Sequence, residues 1–175
     1  MVDLYYNIAT CRLKGSLDGK NVDNYAVSGG RAGTKTLGAQ NLWLSNNVFA
    51  TNVKLQESKK NEGSSGGPLP QGIYTLLPHE EHENWIRLIP FKTTLPEIRI
   101  NGKALKGNNW MQGRSGFAIH GRGPRGSDGC IVIPEFEVVI KIYKQVDARS
   151  KNGAKPFVLK VYAEGQDLDK MFYTA

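Results

Sequence analysis

A chain of 175 residues with 39% hydrophobic content can bury one full core and would be cramped as two, so a single domain over residues 1–175 is expected. Its formal charge of +7 favours an anionic partner, but the lysines and arginines are scattered and no nucleic-acid motif accompanies them, which sets nucleic acid aside. Two cysteines are too few for a disulfide scaffold and lack the spacing of a zinc site; no metal or other cofactor is expected, and one Cys11–Cys130 disulfide stays open.

The chain begins Met1-Val2-Asp3-Leu4-Tyr5-Tyr6-Asn7. An acidic third residue and no long apolar stretch make this a poor secretory signal, so synthesis in the cytoplasm is expected unless a signal has been removed. No segment approaches the roughly 18 apolar residues of a membrane-spanning helix, so membrane insertion is not expected. Strand patterns then follow at Leu4 to Ala9, Asn24 to Ser28, Ile73 to Leu77, Trp85 to Ile89, Glu97 to Ile100, Gly116 to His120 and Phe157 to Ala163. Asp18-Gly19 and Ser28-Gly29-Gly30 form turns, and Asn101-Gly102 suits a two-residue hairpin between Ile98-Arg99-Ile100 and Lys103-Ala104-Leu105. This spacing points to a mainly β, antiparallel chain with little room for helical crossovers. Glu57 to Gly72 is almost free of apolar residues until Leu69 and reads as a flexible loop inside the domain. One helix is expected, with Pro134 in its first turn, Glu135 and Glu137 at its positive end, and Phe136, Val139, Ile140 and Tyr143 on its inner face.

The chemistry concentrates just before that helix. Phe117-Ala118-Ile119-His120-Gly121 is followed, ten residues from His to Cys, by Ser127-Asp128-Gly129-Cys130-Ile131. A thiol is a strong nucleophile as thiolate, and a neighbouring imidazole is the usual means of generating one near neutral pH. In a strand, Ala118 and His120 share one face and Phe117 and Ile119 the other. The glycine-rich return is long enough to bring Cys130 back to His120, and Gly129 permits a close backbone approach that aims amides at a developing oxyanion. The helix start after Cys130 adds a weak positive dipole, diluted by the Ile131-Val132-Ile133 spacer. Against this stands a structural reading, in which His120 is packed or surface-exposed and Cys130 is a small buried hydrophobe.

Other motifs are weaker. His79-Glu80-Glu81-His82-Glu83 has Glu where a zincin needs its second histidine and reads as a solvated charged turn. Gly121 to Gly129 lacks the Lys-Ser/Thr ending of a phosphate loop. Trp43, Trp85 and Trp110 suit core or rim packing better than sugar stacking.

The segment Gly116 to Gly121 followed by Ser127-Asp128-Gly129-Cys130-Ile131 resembles the signature of L,D-transpeptidases. Gly67-Pro68-Leu69-Pro70-Gln71-Gly72-Ile73-Tyr74 is similar to an upstream stretch of that family, and Ala26-Val27-Ser28-Gly29-Gly30 to its Ser-x-Gly strand end. The nearest likeness is to the L,D-transpeptidase-like toxins exported by the bacterial type VI secretion system. The resemblance implies a β-sandwich or barrel with one helix after the catalytic cysteine, acting on peptidoglycan stem peptides. Cys130 would be the nucleophile, His120 its base, and the Gly121 carbonyl the group that orients the imidazole. Amides near Gly129 and Cys130 would hold the oxyanion, Ser127 would shape the loop, and Arg122 and Asp128 would meet substrate. L,D-carboxypeptidase action, D-amino-acid exchange or both would result, in the periplasm of target bacteria, with a secretion machine and a periplasmic immunity protein as partners. Asp128 stands where wall-building members commonly carry a second histidine, and Val132 where they commonly carry a polar or basic residue, which favours the toxin subgroup over cross-linking. A noncatalytic peptidoglycan-binding module and a cross-linking enzyme remain the alternatives. A papain-like protease fits poorly, because its Cys precedes its His.

Overall fold

Burial alternates along Leu4–Asn7, Gly72–Pro78 and Ile86–Pro90, so each presents one face to a shared core and the other outward. The computed structural model describes residues 1–29, 68–90, 98–100, 103–105, 116–121 and 129–163. The chain runs through β1 (Leu4–Asn7), β2 (Arg12–Leu17), β3 (Lys20–Tyr25) and β4 (Val27–Ser28), then β5 (Gly72–Pro78), β6 (Ile86–Pro90), β7 (Ile98–Ile100) and β8 (Lys103–Leu105). It continues through β9 (Ala118–Gly121), β10 (Ile131–Ile133), α1 (Phe136–Lys151) and β11 (Val158–Tyr162).

Nine of these strands form one sheet in the order β3-β2-β1-β11-β5-β6-β9-β10-β4. The two ends of that order, β3 and β4, are separated in the chain by Ala26 alone, so the sheet curls round into a nearly closed barrel. A buried phenol secures the junction, since Tyr6 Oη donates to the Ala26 carbonyl at 3.1 Å. Inside lie Leu4, Leu13, Leu17, Tyr74, Leu76, Ile86, Leu88, Ile119, Ile131 and Ile133, with Val139, Ile142 and Val146 of α1 in the same cluster. Each such aliphatic side chain contributes about 1.5–3 kcal/mol by leaving water. The helix rests on β5, β9 and β10, with Glu137 in its first turn and Arg149 and Lys151 in its last, matching its dipole.

The mainly β expectation holds, as does the hairpin: Ile98, Arg99 and Ile100 pair with Leu105, Ala104 and Lys103, leaving two residues for the turn. Four readings need correction. The sheet is not wholly antiparallel, since β1 pairs with β11 and β9 with β10 in parallel. Ile131-Val132-Ile133 is the central part of that second pairing rather than a spacer. The loop expected over Glu57 to Gly72 ends early: Pro68, Leu69 and Pro70 are buried and Gly72 already belongs to β5, while residues 57–67 lie outside the described set. Finally, Pro134 precedes the extended N-cap Glu135 and so lies outside the first turn of α1, while Glu135 and Glu137 do stand at its positive end. On the inner face Val139 is buried and Tyr143 packs against the core as expected, but Ile142 and Val146 complete it and Phe136 is exposed.

Candidate active site

β9 is an interior strand, with β6 on one side and β10 on the other. In the parallel pair, Ile131 lies opposite Ile119, Val132 opposite His120 and Ile133 opposite Gly121. The two-residue period sends Ile119, Ile131 and Ile133 into the core and places Ala118, His120 and Val132 on the other face. Cys130 immediately precedes β10. Continuing the register back one step sets it opposite Ala118, on the His120 face and diagonal to His120. With strands roughly 4.8 Å apart and a rise of about 3.3 Å per residue, diagonal neighbours stand about 8 Å apart, a span that a thiol and an imidazole can bridge by leaning together.

On the β6 side the pairing is antiparallel, Ile86 with Ile119 and Arg87 with Ala118. One further step puts Trp85 across from His120. The two rings stack, with centroids 4.2 Å apart and planes 14° from parallel. Trp85 also touches His82, with centroids 4.3 Å apart, and His79 meets both His82 and Trp85. All three histidines of the chain therefore gather around one indole.

His120 is only 7% exposed. Its Nδ1 lies 3.2 Å from the Gly121 carbonyl oxygen. A carbonyl can only accept, so this bond puts the ring proton on Nδ1 and leaves the Nε2 lone pair available. Burial pushes the imidazole pKa down; the Gly121 bond partly opposes this, and the nearby His82 adds to it. The neutral base is therefore the favoured form. A Cβ on Gly121 would lie 2.8 Å from the Phe136 ring at the start of α1, so that ring would have to shift to admit one.

A fully buried serine sets the backbone ahead of the thiol. Ser28, opposite Ile131 across the β4–β10 pairing, donates through Oγ to the Gly129 carbonyl at 3.0 Å and accepts from the Leu69 N–H at 2.8 Å. The described peptides contain no cis bond, so fixing the Gly129 carbonyl directs the Cys130 N–H the opposite way. Gly129 itself adopts φ 115°, a conformation open to glycine.

Cys11 and Cys130 are not joined in a disulfide. Burial raises the Cys11 thiol pKa. Nor does Cys130 sit at a helix end: β10 intervenes, and three strand residues span about 10 Å, beyond the first-turn range of the dipole. Among the described residues no group of His, Cys, Asp and Glu side chains could hold a metal ion, and no helix is long and apolar enough to cross a membrane. Ser127, Asp128, Arg122 and Arg125 lie outside the described residues.

A family model for the L,D-transpeptidase catalytic domain, YkuD, matches residues 3–161. The chain belongs to the YkuD family. Searches against curated proteins and against solved structures give no match. The YkuD match spans the barrel from β1 to β11 and supports an L,D-transpeptidase-type cysteine enzyme of peptidoglycan.

Three residues of this YkuD domain carry little signal in the sequence. Trp85 reads there as packing and His82 as part of a solvated turn; the turn is indeed exposed from Glu80 to Glu83, but the rings of His79 and His82 meet Trp85 beside His120. Only the β6–β9 register reveals this. Ser28 reads in the sequence as a strand end alone, although a serine among buried strand positions is itself a sign of a satisfied polar link.

Proposed function

We propose that this YkuD domain is a cysteine enzyme that forms an acyl-enzyme at Cys130 with tetrapeptide stems of peptidoglycan, acting as an L,D-carboxypeptidase, a D-amino-acid exchanger or both. The observation that carries the reading is the buried His120, with Nδ1 on the Gly121 carbonyl, on the strand beside the one that Cys130 opens.

In this mechanism Nε2 takes the Sγ proton as Sγ bonds to the diaminopimelate carbonyl carbon. The Cys130 N–H, with the amides near Gly129, meets the oxyanion. Collapse breaks the bond to the terminal D-alanine, whose amine leaves with the proton from the imidazolium. Water or the amine of another D-amino acid then attacks the thioester and gives its proton to Nε2. The thiolate departs and recovers that proton. Ser127 shapes the return loop, and Arg122 and Asp128 contact the stem, as the resemblance implies.

We extend the proposal to an antibacterial effector that the type VI machinery exports into the periplasm of target cells, with a periplasmic immunity protein as its partner. Val132 supports this: it is buried opposite His120 and offers no cation to a second stem, which disfavours cross-linking. Digestion of purified muropeptides followed by mass spectrometry tests the chemistry. Loss of one alanine means hydrolysis, replacement by an added D-amino acid means exchange, and unchanged products overturn the enzymatic reading. A periplasm-directed Cys130→Ala protein should be harmless; toxicity equal to wild type would instead favour a wall-binding module.

A further inference from the structure

We infer that Trp85 is a positioning residue for His120, its ring contact with His120 and His82 holding the imidazole in place and shutting it off from water. The inference deepens the reading of His120 as the catalytic base and rests on it. Three observations converge on Trp85. The stack on His120 is nearly parallel at 4.2 Å, closer and flatter than incidental aromatic packing requires. The core-facing positions of β6 are Ile86 and Leu88, so Trp85 lies on the site face and is not there to fill the barrel. Of the two other rings against it, His79 and His82, His82 is exposed, so Trp85 stands between a solvated turn and a buried base along the chain of contacts.

Among the described residues the imidazole has one hydrogen bond to hold it, through Nδ1 to Gly121. A single bond leaves rotation about that axis to be limited by packing. The indole limits it, and so fixes the direction of Nε2. Among the described residues, the charged and titratable groups on the elements around the contact are His79, Glu80, Glu81, His82 and Glu83 in the β5–β6 connection, Arg87 on β6, which is ion-paired with Glu80, and Cys130 ahead of β10. Of these, His82 acts on His120 directly, and a proton on His82 disfavours one on His120.

The test uses the three histidines of the chain, whose ring resonances can be followed by NMR across a pH titration without substrate. In Trp85→Ala, the His120 midpoint should rise toward the ordinary imidazole value as water reaches the ring. Trp85→Phe should keep it near wild type, and His82→Gln should raise it by a smaller step. With muropeptides, Trp85→Ala should lower kcat on the order of 100-fold, the cost of a misaligned base, with KM little changed. An unchanged His120 midpoint in Trp85→Ala, or a Trp85→Phe protein displaced as far as Trp85→Ala, would overturn the inference. If Trp85→Ala does not fold, Trp85→Phe and His82→Gln decide: no rise in His82→Gln counts against it. Should wild type fail to process muropeptides, the substrate reading falls while the titration still judges the ring contact.

Discussion

At the scale of single residues, the site depends on backbone groups as much as on the thiol and imidazole. Ser28 illustrates this, because its hydroxyl ties the strand that borders β10 to both Gly129 and Leu69. Ser28→Ala would leave a buried carbonyl and a buried N–H unmatched, at about 1–3 kcal/mol for each lost partner. It would also free the Gly129–Cys130 peptide to rotate, so that the Cys130 N–H no longer points reliably at the oxyanion. Loss of one such donor costs roughly 100- to 1000-fold in rate. Ser28→Ala should therefore fold with a lower melting temperature and form acyl-enzyme far more slowly, whereas Ser28→Thr, which keeps the hydroxyl, should retain most of the rate. Single-turnover mass spectrometry of the acylated protein measures the second effect and calorimetry the first. Equal acylation rates in wild type and Ser28→Ala would show that the hydroxyl serves folding alone.

At the scale of elements, the close pairing of β1 with β2 turns on Gly15. A Cβ there would stand 2.1 Å from the Asp3 carbonyl oxygen and 2.9 Å from Leu4 Cα, both backbone atoms that cannot swing aside. With φ at 146°, a side chain adds conformational strain to the clash. Gly15→Ala is expected to lose about 3 kcal/mol or more. Gly19→Ala, at φ 80° with nothing within 4 Å, should lose only the roughly 1–2 kcal/mol of a left-handed L-residue. Urea denaturation of the two variants compares them directly, and similar losses would show that β1 and β2 separate cheaply. These elements also show what a sequence can disclose. The β7–β8 hairpin was legible because Asn-Gly fixes both turn and register. Arg12–Leu17 was not, since Leu13 and Leu17 alone mark its buried side. β10 was misread because its three residues are all buried, and a continuous apolar run carries no period. His120 and Cys130 stood out through residue type and spacing. Trp85 and His82 did not, because their approach to His120 depends on pairing between strands far apart in the chain.

At the scale of the whole molecule, the barrel holds the His120 imidazole in a place where a charge is poorly received. β9 is flanked by β6 and β10, so His120 cannot reach water by fraying at an edge; protonation must be accommodated in the folded site or by opening it. Burial lowers its pKa in the folded protein, while the unfolded chain titrates at the ordinary imidazole value. Between those two values the unfolded state binds the extra proton, so acid favours unfolding. The stability tied to neutral His120 is thus complete above about pH 6.5, declines as pH falls below it, and stops declining once the folded state is protonated too. The slope can reach about 1.4 kcal/mol per pH unit for one proton. At the alkaline end Cys11 acts in the opposite sense: its raised thiol pKa means that the unfolded chain ionises first, so stability falls above the ordinary thiol value. Urea unfolding of wild type and His120→Gln between pH 7.5 and 4.5 isolates the first effect. Wild type should lose stability relative to the variant across the lower half of that range, and parallel curves would show that the barrel admits the imidazolium without penalty.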